Sequence, residues 1–450
     1  MKKIIYLLII LIIPITVSAE DITKNSSIFI NDAKSNTKLI DGNENSYITI
    51  NNNEEIKINS PEYIYGLYII YELKSETGTI TNGDNSIVIG ENGFLHEYID
   101  INKNLGNIKE LTLTYNQNIK IGEIYILGSG KIPDFVEIWE KPLNNNADLL
   151  LISTHSDDEQ LFFLGLLPTY VARGANVQVA YFVNHNDNPK RLHEQLHGLY
   201  TVGIRNYPII GKIPDAYSET LDGAIKNIER ANLTIDDAIN FQVEIIRRFK
   251  PSVVVGHDEL GEYSHGQHIL NTHTLKMALE KTNDKTYNEI SYNKYGLWDV
   301  PKTYIHLYKE NQIIMDYDTP LDYFDGKTAY EVSKEGYSKH LSQQWTWFTA
   351  WIKGKNNQYT KSTDIKKYSP NEFGLYRSLV GEDINKNDMF ENLTLKKDIK
   401  EELDDEEKNV VNLVEDIKES NILDSLKEYK EFILIGLIVI VSIIIIAKKR

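Results

Sequence analysis

The chain has 450 residues, with 65 acidic against 48 basic side chains and a formal net charge of −17. This charge excludes a protein whose main partner is nucleic acid, because phosphate binding needs a basic face. Cysteine is absent, which excludes disulfides and thiolate metal ligands, so any metal must be held by histidine and carboxylate.

Residues 1–19 predict a signal peptide. Lys2 and Lys3 precede an apolar run over residues 4–17, and small residues at 17–19 are typical of a cleavage site. We therefore expect the chain to be exported. The abundance of Asn, Ile, Lys and Tyr is typical of a low-GC genome and indicates a bacterium with a single membrane.

Residues 20–135 predict an all-β sandwich. Short alternating runs such as 64–71, 111–115 and 121–127 are interrupted by Asn-Gly and Gly-Asp pairs, as expected of strands joined by turns. The order of these runs, with Leu39-Ile40-Asp41-Gly42-Asn43 early and residues 121–127 late, resembles discoidin or galactose-binding-like jelly rolls. The resemblance implies a carbohydrate-binding module, and the alternative is a spacer or lid for the next domain.

Residues 145–385 predict an α/β domain. Apolar runs at 147–153, 176–183 and 252–255 alternate with helical periodicity over 159–173, 191–202 and 235–249, and residues 286–380 complete the domain. This alternation is typical of a Rossmann-like parallel sheet with helices on its faces.

The end of the chain predicts a membrane anchor. Residues 386–431 are acidic with apolar residues at helical spacing, which favours a solvated helical stalk. Residues 432–447 are continuously apolar and 448–450 are basic. As a helix this run spans about 24 Å, slightly less than a bilayer core of about 30 Å. We expect a transmembrane helix over 432–447, a cytoplasmic tail over 448–450, and residues 20–430 outside the cell membrane.

Two clusters of histidine and carboxylate each follow a predicted buried strand. The first is His155-Ser156-Asp157-Asp158-Glu159, and the second contains His265 and His268, which share one face of a helix. In open α/β sheets, sites form where strands end. We also expect Asp157 and Asp158 in the first turn of the next helix, where the helix dipole favours ionised carboxylates.

The paired clusters predict a metal site. His155, Asp158 and His268 form a two-histidine, one-carboxylate set, which suits zinc with an open position for water. Asp157 is then free to accept a proton from that water, and His265 could stabilise an oxyanion. The alternative is that Ser156-x-x-Glu159 and Ser264-x-x-Gln267 are capping boxes that only start helices, which leaves the three histidines and two aspartates unexplained.

A competing metal motif lies between the clusters. His193-Glu194-Gln195-Leu196-His197 matches H-E-x-x-H, the helical zinc pair of metalloproteases in which Glu is the base. The following residues 198–203 lack the Gly-x-x-His continuation of metzincins, and the parallel α/β context is not that of a metalloprotease. A downstream Glu as third ligand stays open.

The two clusters resemble those of the PIG-L/LmbE-like zinc de-N-acetylases. The first motif of that family, His-Pro-Asp-Asp-Glu, is matched by residues 155–159 with Ser156 in place of Pro. Its second motif, a His-x-x-His that is often Gly-His-Pro-Asp-His, is matched by residues 264–268, with Gln267 in place of Asp. Its Arg-x-x-Glu corresponds to Arg191 and Glu194, and a later His-x-Ser-Gln to residues 340–343.

This resemblance implies a zinc-dependent hydrolase that removes acetyl groups from N-acetylglucosamine units, with another divalent metal left open. It assigns zinc to His155, Asp158 and His268, the general base to Asp157, the oxyanion to His265 and the sugar to Arg191 and Asp215. With export, it implies an N-acetylated glycan of the cell wall or surface as substrate. The alternatives are a surface glycan-binding protein with an inactive enzyme domain and, less favoured, a HExxH-type metallopeptidase.

Overall fold

The computed structural model describes residues 20–34, 37–52 and 54–398. A β-rich region comes first and an α/β region follows, joined by an irregular segment over 128–148. The strands of the first region are β1 (Ser27–Ile30), β2 (Ala33–Lys34), β3 (Ile48–Ile50), β4 (Ile56–Ile64), β5 (Gly66–Tyr71), β6 (Gly78–Asn82), β7 (Asn85–Ile89), β8 (His96–Asp100), β9 (Ile108–Tyr115) and β10 (Ile119–Leu127), with the short helix α1 (Ile101–Leu105).

These strands form two antiparallel sheets, ordered β2-β1-β4-β9-β6-β7 and β3-β10-β5-β8. Alternate residues point inward, so that Ile58 and Leu113 of the first sheet and Ile69 and Ile124 of the second belong to one buried core. The region is therefore a β-sandwich. Its discoidin-like character and its binding of sugar stay predictions.

The α/β region contains seven strands in one main sheet and a separate two-stranded ribbon. Its elements are β11 (Leu149–Ser153), α2 (Leu166–Ala172), β12 (Val177–Asn184), α3 (Pro189–Thr201), β13 (Ile209–Pro214), α4 (Leu221–Arg230), α5 (Ile235–Phe249), β14 (Val253–Gly256), α6 (Gly266–Lys281), α7 (Glu289–Tyr295), β15 (Lys302–His306), β16 (Gln312–Ile314), β17 (Pro320–Leu321), β18 (Lys327–Thr328), α8 (Ala329–Tyr337), α9 (Trp347–Lys353) and β19 (Glu372–Ser378).

The main sheet has the order β13-β12-β11-β14-β15-β19-β16. Strands β11 to β15 pair in parallel with one another, whereas β19 pairs antiparallel with β15 and β16. The chain runs outward from β11 through β12 and β13, then returns to place β14 on the other side of β11. The carboxyl ends of β11 and β14 therefore flank a topological switch point, the usual ligand position in such sheets.

The two regions are in contact through β8 and the segment before it. Phe94 stacks on Tyr207 of the α/β region with ring centroids 4.4 Å apart, and the Leu95 backbone N–H donates to the Tyr207 hydroxyl at 2.9 Å. His96, the first residue of β8, is fully buried, and its ring centroid lies 5.1 Å from that of His193 in helix α3. These contacts place the β-sandwich beside helix α3.

The predicted membrane architecture needs correction. Across 20–34, 37–52 and 54–398 no helix is long and apolar enough to cross a membrane. The longest there, α6, has 16 residues and carries polar and charged side chains along its length, whereas a span needs about 20 apolar residues. For these residues, the predicted membrane-anchored fold is wrong. The predicted location at the cell membrane, which depended on the anchor, is wrong with it. The predicted signal peptide, the transmembrane helix over 432–447 and the tail over 448–450 lie outside the described residues.

The first residues of the predicted stalk pack on the α/β domain. Phe390 and Leu395 are buried in its largest core cluster, and the Lys396 backbone N–H donates to Asp148 Oδ1 at 2.8 Å. The folded domain therefore continues to about residue 398, and stalk residues beyond 398 lie outside the described part.

Candidate metal centre

The loops that follow β11 and β14 bring the two predicted clusters together. His155 and Asp158 lie in the loop after β11, and His268 lies in the first turn of α6, which begins shortly after β14. All three side chains are buried. Because β11 and β14 pair in parallel register, their carboxyl ends lie side by side and the two loops meet.

Three side-chain atoms converge at this point. His155 Nδ1 lies 3.1 Å from Asp158 Oδ2 and 3.1 Å from His268 Nε2. His268 Nε2 lies 3.2 Å from Asp158 Oδ2. Two imidazole nitrogens and one carboxylate oxygen at these separations fit a single small cation such as zinc, which takes N and O ligands at about 2.0–2.2 Å.

The remaining nitrogen of His155 is held by Gln267. His155 Nε2 donates to Gln267 Oε1 at 3.1 Å, which leaves Nδ1 with its lone pair free. The same oxygen accepts from Ala216 N at 3.1 Å, and Gln267 Nε2 donates to Pro214 O at 2.8 Å. The buried amide therefore orients the histidine, as metal ligands require, although it supplies no carboxylate.

Glu262 orients the second histidine. It is fully buried and accepts from His268 Nδ1 at 2.7 Å, from His257 Nδ1 at 2.9 Å and from His306 Nδ1 at 2.6 Å. The attraction of these histidines outweighs burial and holds the pKa of Glu262 well below its usual range. His268 therefore presents Nε2 to the centre.

The electrostatics of the centre favour a cation. Burial alone would raise the pKa of Asp158, but His268 and His155 hold it well below its ordinary value. Burial alone would lower the pKa of His268, but Asp158 and Glu262 raise it to about 10. A proton or a metal ion can meet this demand for positive charge, so metal binding would release the proton.

Two further histidines lie close enough to be considered as ligands. Donor atoms of Asp158, His257 and His268 lie within 4.8 Å of one another, as do those of His155, His265 and His268. His257 Nε2, however, accepts from the Thr154 backbone N–H at 2.9 Å, so its lone pair is engaged. His265 Nδ1 accepts from the Gln267 backbone N–H at 3.2 Å, which leaves the proton on Nε2. Neither histidine offers a free lone pair to the centre.

Asp157 lies beside the converging atoms without joining them. Its φ is +119°, a strained backbone conformation that is typical of functional positions, and its N–H donates to Glu159 Oε2 at 2.9 Å. Burial raises the pKa of Asp157 to about 7, with Arg191 opposing and Asp158 adding to the rise. A carboxylate with this pKa is suited to accept a proton near neutral pH.

His265 caps helix α6 at the mouth of the centre. Its side chain, not that of Ser264, accepts the first-turn N–H, and Ser264 has a φ of +62°. Burial, with His155 and His268 nearby, lowers the pKa of His265 to about 2, so the ring is neutral. A neutral ring with its proton on Nε2 is a hydrogen-bond donor.

Arg191 and Asp215 also lie at the centre. Arg191 Nη1 donates to Asp215 Oδ2 at 3.0 Å, and Nη2 donates to Ser156 O at 2.7 Å and Asp157 Oδ1 at 3.4 Å. His185 Nδ1 lies 3.3 Å from Asp215 Oδ2. Although burial opposes it, His185, His155 and Arg191 hold the pKa of Asp215 below its usual value. Asp215 is ionised and partly open to solvent.

The helix expected from residue 159 begins only at Leu166. Residues 156–165 form consecutive turns, and Ser156 Oγ donates to the Arg191 carbonyl at 2.9 Å instead of capping a helix. The expected placement of Asp157 and Asp158 in the first turn of a helix is therefore wrong, and the alternative of a capping box at Ser156-x-x-Glu159 is not supported. The turns allow these adjacent carboxylates to point in different directions.

The H-E-x-x-H residues do not form a protease site. His193 and His197 face the β-sandwich, where His193 Nδ1 lies 2.8 Å from His96 Nε2. Glu194 instead accepts from the Ser342 backbone N–H at 2.7 Å, in the predicted His-x-Ser-Gln segment. In the same segment His340 Nε2 lies 3.1 Å from Glu159 Oε1.

No role is predicted from the sequence for His306 and His185, nor for His257 and Glu262, which lie in the same histidine-rich and acidic segment as His265 and His268. A carboxylate partner for a metal-binding histidine is expected on chemical grounds, and Glu262 is six residues before His268, so this signal was available. His306 ends strand β15, and no pattern in the sequence connects it with the loop after β14.

Comparisons with known proteins relate the α/β region to a known family. Residues 150–279 match the PIG-L family model, described as GlcNAc-PI de-N-acetylase. The predicted PIG-L/LmbE-like character of this domain is therefore confirmed.

Two curated relatives carry the name 1D-myo-inositol 2-acetamido-2-deoxy-alpha-D-glucopyranoside deacetylase. That of Geodermatophilus obscurus is 28% identical over 179 residues, 35% of this chain and 60% of that protein. Deacetylase 2 of Saccharopolyspora erythraea is 30% identical over 179 residues, 34% of this chain and 63% of that protein. The chain thus spans about three fifths of the length of these relatives.

Among solved structures, N,N'-diacetylchitobiose deacetylase from Pyrococcus horikoshii aligns with 50% of this chain and 82% of that chain. The sequence identity is 14% and the TM-score 0.37.

Proposed function

We propose that this chain is a metal-dependent N-deacetylase that acts on N-acetylglucosamine-type sugars. The observation that carries the proposal is the convergence of His155 Nδ1, Asp158 Oδ2 and His268 Nε2 within 3.2 Å of one another, with Asp157 beside them. The PIG-L match over residues 150–279 and the deacetylases among the relatives support it.

The donor set suits zinc, and another divalent metal would also fit. His155 and His268 each have one nitrogen occupied by Gln267 or Glu262 and the other aimed at the centre. When bound, such a metal lowers the pKa of water and polarises an amide carbonyl.

Asp157 is the general base of the proposed reaction. Its buried carboxylate takes a proton from the water that attacks the acetamide carbon, and later returns a proton to the departing amine. The Arg191 guanidinium, 3.4 Å from Asp157 Oδ1, fixes the direction of the carboxylate. The products are acetate and a free amino sugar.

His265 stabilises the oxyanion that forms during the attack. Because Nδ1 is engaged by the Gln267 N–H, the proton is on Nε2 and is available to the developing negative charge. Such donors contribute most in buried sites, where water does not compete.

Asp215 and Arg191 bind the sugar. The Asp215 carboxylate is one-third exposed and its charge is held by Arg191 and His185. It can accept hydrogen bonds from sugar hydroxyl groups while Arg191 positions it.

The substrate in this proposal is a glycan of the cell wall or surface. Tyr217 is 61% exposed, with its ring centroid 5.1 Å from that of His265. Trp347 is 48% exposed and packs on Tyr263 at 5.7 Å, and the Tyr263 ring lies 5.4 Å from that of His265. Exposed aromatic faces near His265 can stack on successive sugar rings, which favours an oligomer over an isolated monosaccharide.

The test compares acetate release from N-acetylglucosamine and from its oligomers by the zinc-loaded full chain. We expect release that grows with oligomer length and is absent in Asp158→Asn, which removes a ligand. Zinc-loaded protein that binds the oligomers but releases no acetate would favour the rival glycan-binding function. Cleavage of peptides that survives in Asp158→Asn would favour the metallopeptidase.

A further inference from the structure

A second cluster of histidine and carboxylate lies between the two domains. His193 and His197 come from helix α3, His96 begins strand β8, Glu44 precedes strand β3, and Glu137 lies in the segment that joins the domains. We call these five residues the interdomain cluster. His96, His193 and Glu137 are buried, and the other two are half-buried.

Two imidazole nitrogens in this cluster face each other. His96 Nε2 and His193 Nδ1 are 2.8 Å apart. One nitrogen of each ring and a carboxylate oxygen of Glu44 lie within 4.8 Å of one another. A buried pair of facing ring nitrogens beside a carboxylate is the donor set that divalent transition metals take in the absence of thiolates.

The opposite nitrogen of each ring is anchored. His96 Nδ1 is 2.9 Å from Glu137 Oε2, a carboxylate that Trp139 Nε1 also contacts at 3.0 Å. His193 Nε2 is 3.1 Å from the Tyr47 hydroxyl. Ligand histidines are usually held in this way, with the outer nitrogen on a carboxylate or other polar group and the inner nitrogen free.

His197 ties the two carboxylates together. Its Nδ1 is 2.7 Å from Glu137 Oε1 and its Nε2 is 2.9 Å from Glu44 Oε2. With both nitrogens engaged, His197 fixes the positions of Glu44 and Glu137 and offers no lone pair of its own. Glu44 keeps carboxylate lone pairs for a further partner.

We propose that His96, His193 and Glu44 bind a divalent cation, zinc being the best fit, which joins the β-sandwich to helix α3. His96 and Glu44 belong to the β-sandwich and His193 to the α/β domain, so the cation would crosslink two domains. A cavity of about 540 Å³, lined in part by Glu44, Glu137 and His197, lies beside the cluster.

The site is structural and distinct from the catalytic centre. In a metalloprotease, the Glu of H-E-x-x-H acts as base beside the zinc, but here Glu194 is bound to the Ser342 backbone N–H. Glu44 and Glu137 are both engaged with His197. The cluster therefore has ligands without a free base, and we expect its cation to affect stability and not turnover.

The test uses the full chain with Asp158→Asn, which disables the catalytic centre. After dialysis against Zn²⁺ and removal of free ion, we expect two zinc ions per wild-type chain and one in Asp158→Asn. Adding His193→Gln or the milder Glu44→Gln should remove that remaining ion. Zinc should also raise the melting temperature of Asp158→Asn but not of either double variant. Adding His273→Gln, at an exposed position of α6, is the matched control and should change neither result.

Two results would overturn the proposal. One is an Asp158→Asn chain, folded by circular dichroism, that binds no zinc. The other is zinc retained after both His193→Gln and Glu44→Gln. Zinc content and melting temperature are measured without catalysis. The test can therefore support or overturn the interdomain site even if the proposed deacetylase releases no acetate.

Discussion

The chain builds two histidine–carboxylate clusters on different sides of helix α3, and their surroundings differ. At the proposed catalytic centre, His155, Asp158 and His268 converge next to Asp157, the proposed base, whose pKa burial raises to about 7. In the interdomain cluster, every carboxylate is engaged with His197. We infer from this comparison that metal ligands alone do not define a hydrolase site, and that an available base distinguishes a catalytic site from a structural one.

The largest expected effect comes from removing that base. Asp157→Asn keeps the size of the side chain and should leave zinc binding intact, because Asp157 is not among the converging donor atoms. We expect kcat to fall about 10²–10⁴-fold, the usual contribution of a general base, measured as acetate release at saturating substrate. Asp187→Asn, at an exposed position, is the matched control. A loss below tenfold in Asp157→Asn would mean that the two clusters do not differ in the way described.

The His265→Asn variant separates the two roles of His265, as proposed hydrogen-bond donor to the oxyanion and as N-cap of helix α6. Asparagine is a good N-cap residue, so the start of helix α6 should be retained, but the Nε2–H is lost. We expect kcat to fall about 10²–10³-fold, as for the loss of an oxyanion donor. Thermal unfolding should change little. A large loss of stability with normal kcat would assign His265 to the helix alone.

Glu262→Gln tests the anchoring of the catalytic ligands. One amide oxygen cannot replace two carboxylate oxygens that accept from three histidines, and the amide N–H₂ would face their N–H groups. We expect zinc affinity to weaken about 10–100-fold, measured by competition with a chelator. The control is Glu259→Gln, an exposed residue of the same loop. Equal affinity in both variants would remove Glu262 from this role.

We expect the smallest effect on turnover from a substitution in the interdomain cluster. His197→Gln breaks contacts with Glu44 and Glu137 but touches no atom of the catalytic centre. We expect kcat/KM for deacetylation to change less than about tenfold, comparable with a lost hydrogen bond, while the melting temperature falls. His268→Gln, the matched variant at the catalytic centre, should lose both metal and activity. The reverse pattern would support a H-E-x-x-H enzyme.

Local sequence patterns predicted which residues of the two clusters converge at the candidate metal centre. The sequence predicts the buried strands before His155 and before residue 257, and it predicts the shared helix face of His265 and His268. These features are predictable because strand ends and helical spacing are local properties. The strained backbone at Asp157 was not predictable, since aspartate seldom has a positive φ and the Ser156-x-x-Glu159 pattern favours a helix. The histidines that meet at Glu262 come from β15 and two other segments, so only tertiary packing reveals them.

The interdomain cluster shows the same limit more clearly. Spacing on α3 placed His193 and His197 on one helix face, but nothing in the sequence indicated that this face meets His96 of β8. The β-sandwich and the α/β sheet were each predictable from their own periodicity. Their contact depends on which surfaces fit together, and this is not encoded in a local pattern.

The most direct test is anomalous diffraction at the zinc edge from crystals of the zinc-loaded full chain. We expect one anomalous peak bounded by His155 Nδ1, Asp158 Oδ2 and His268 Nε2, and a second peak between His96 and His193. No peak at the first position, with a peak between His193 and His197, would contradict the central claim that the catalytic metal is bound where β11 and β14 end.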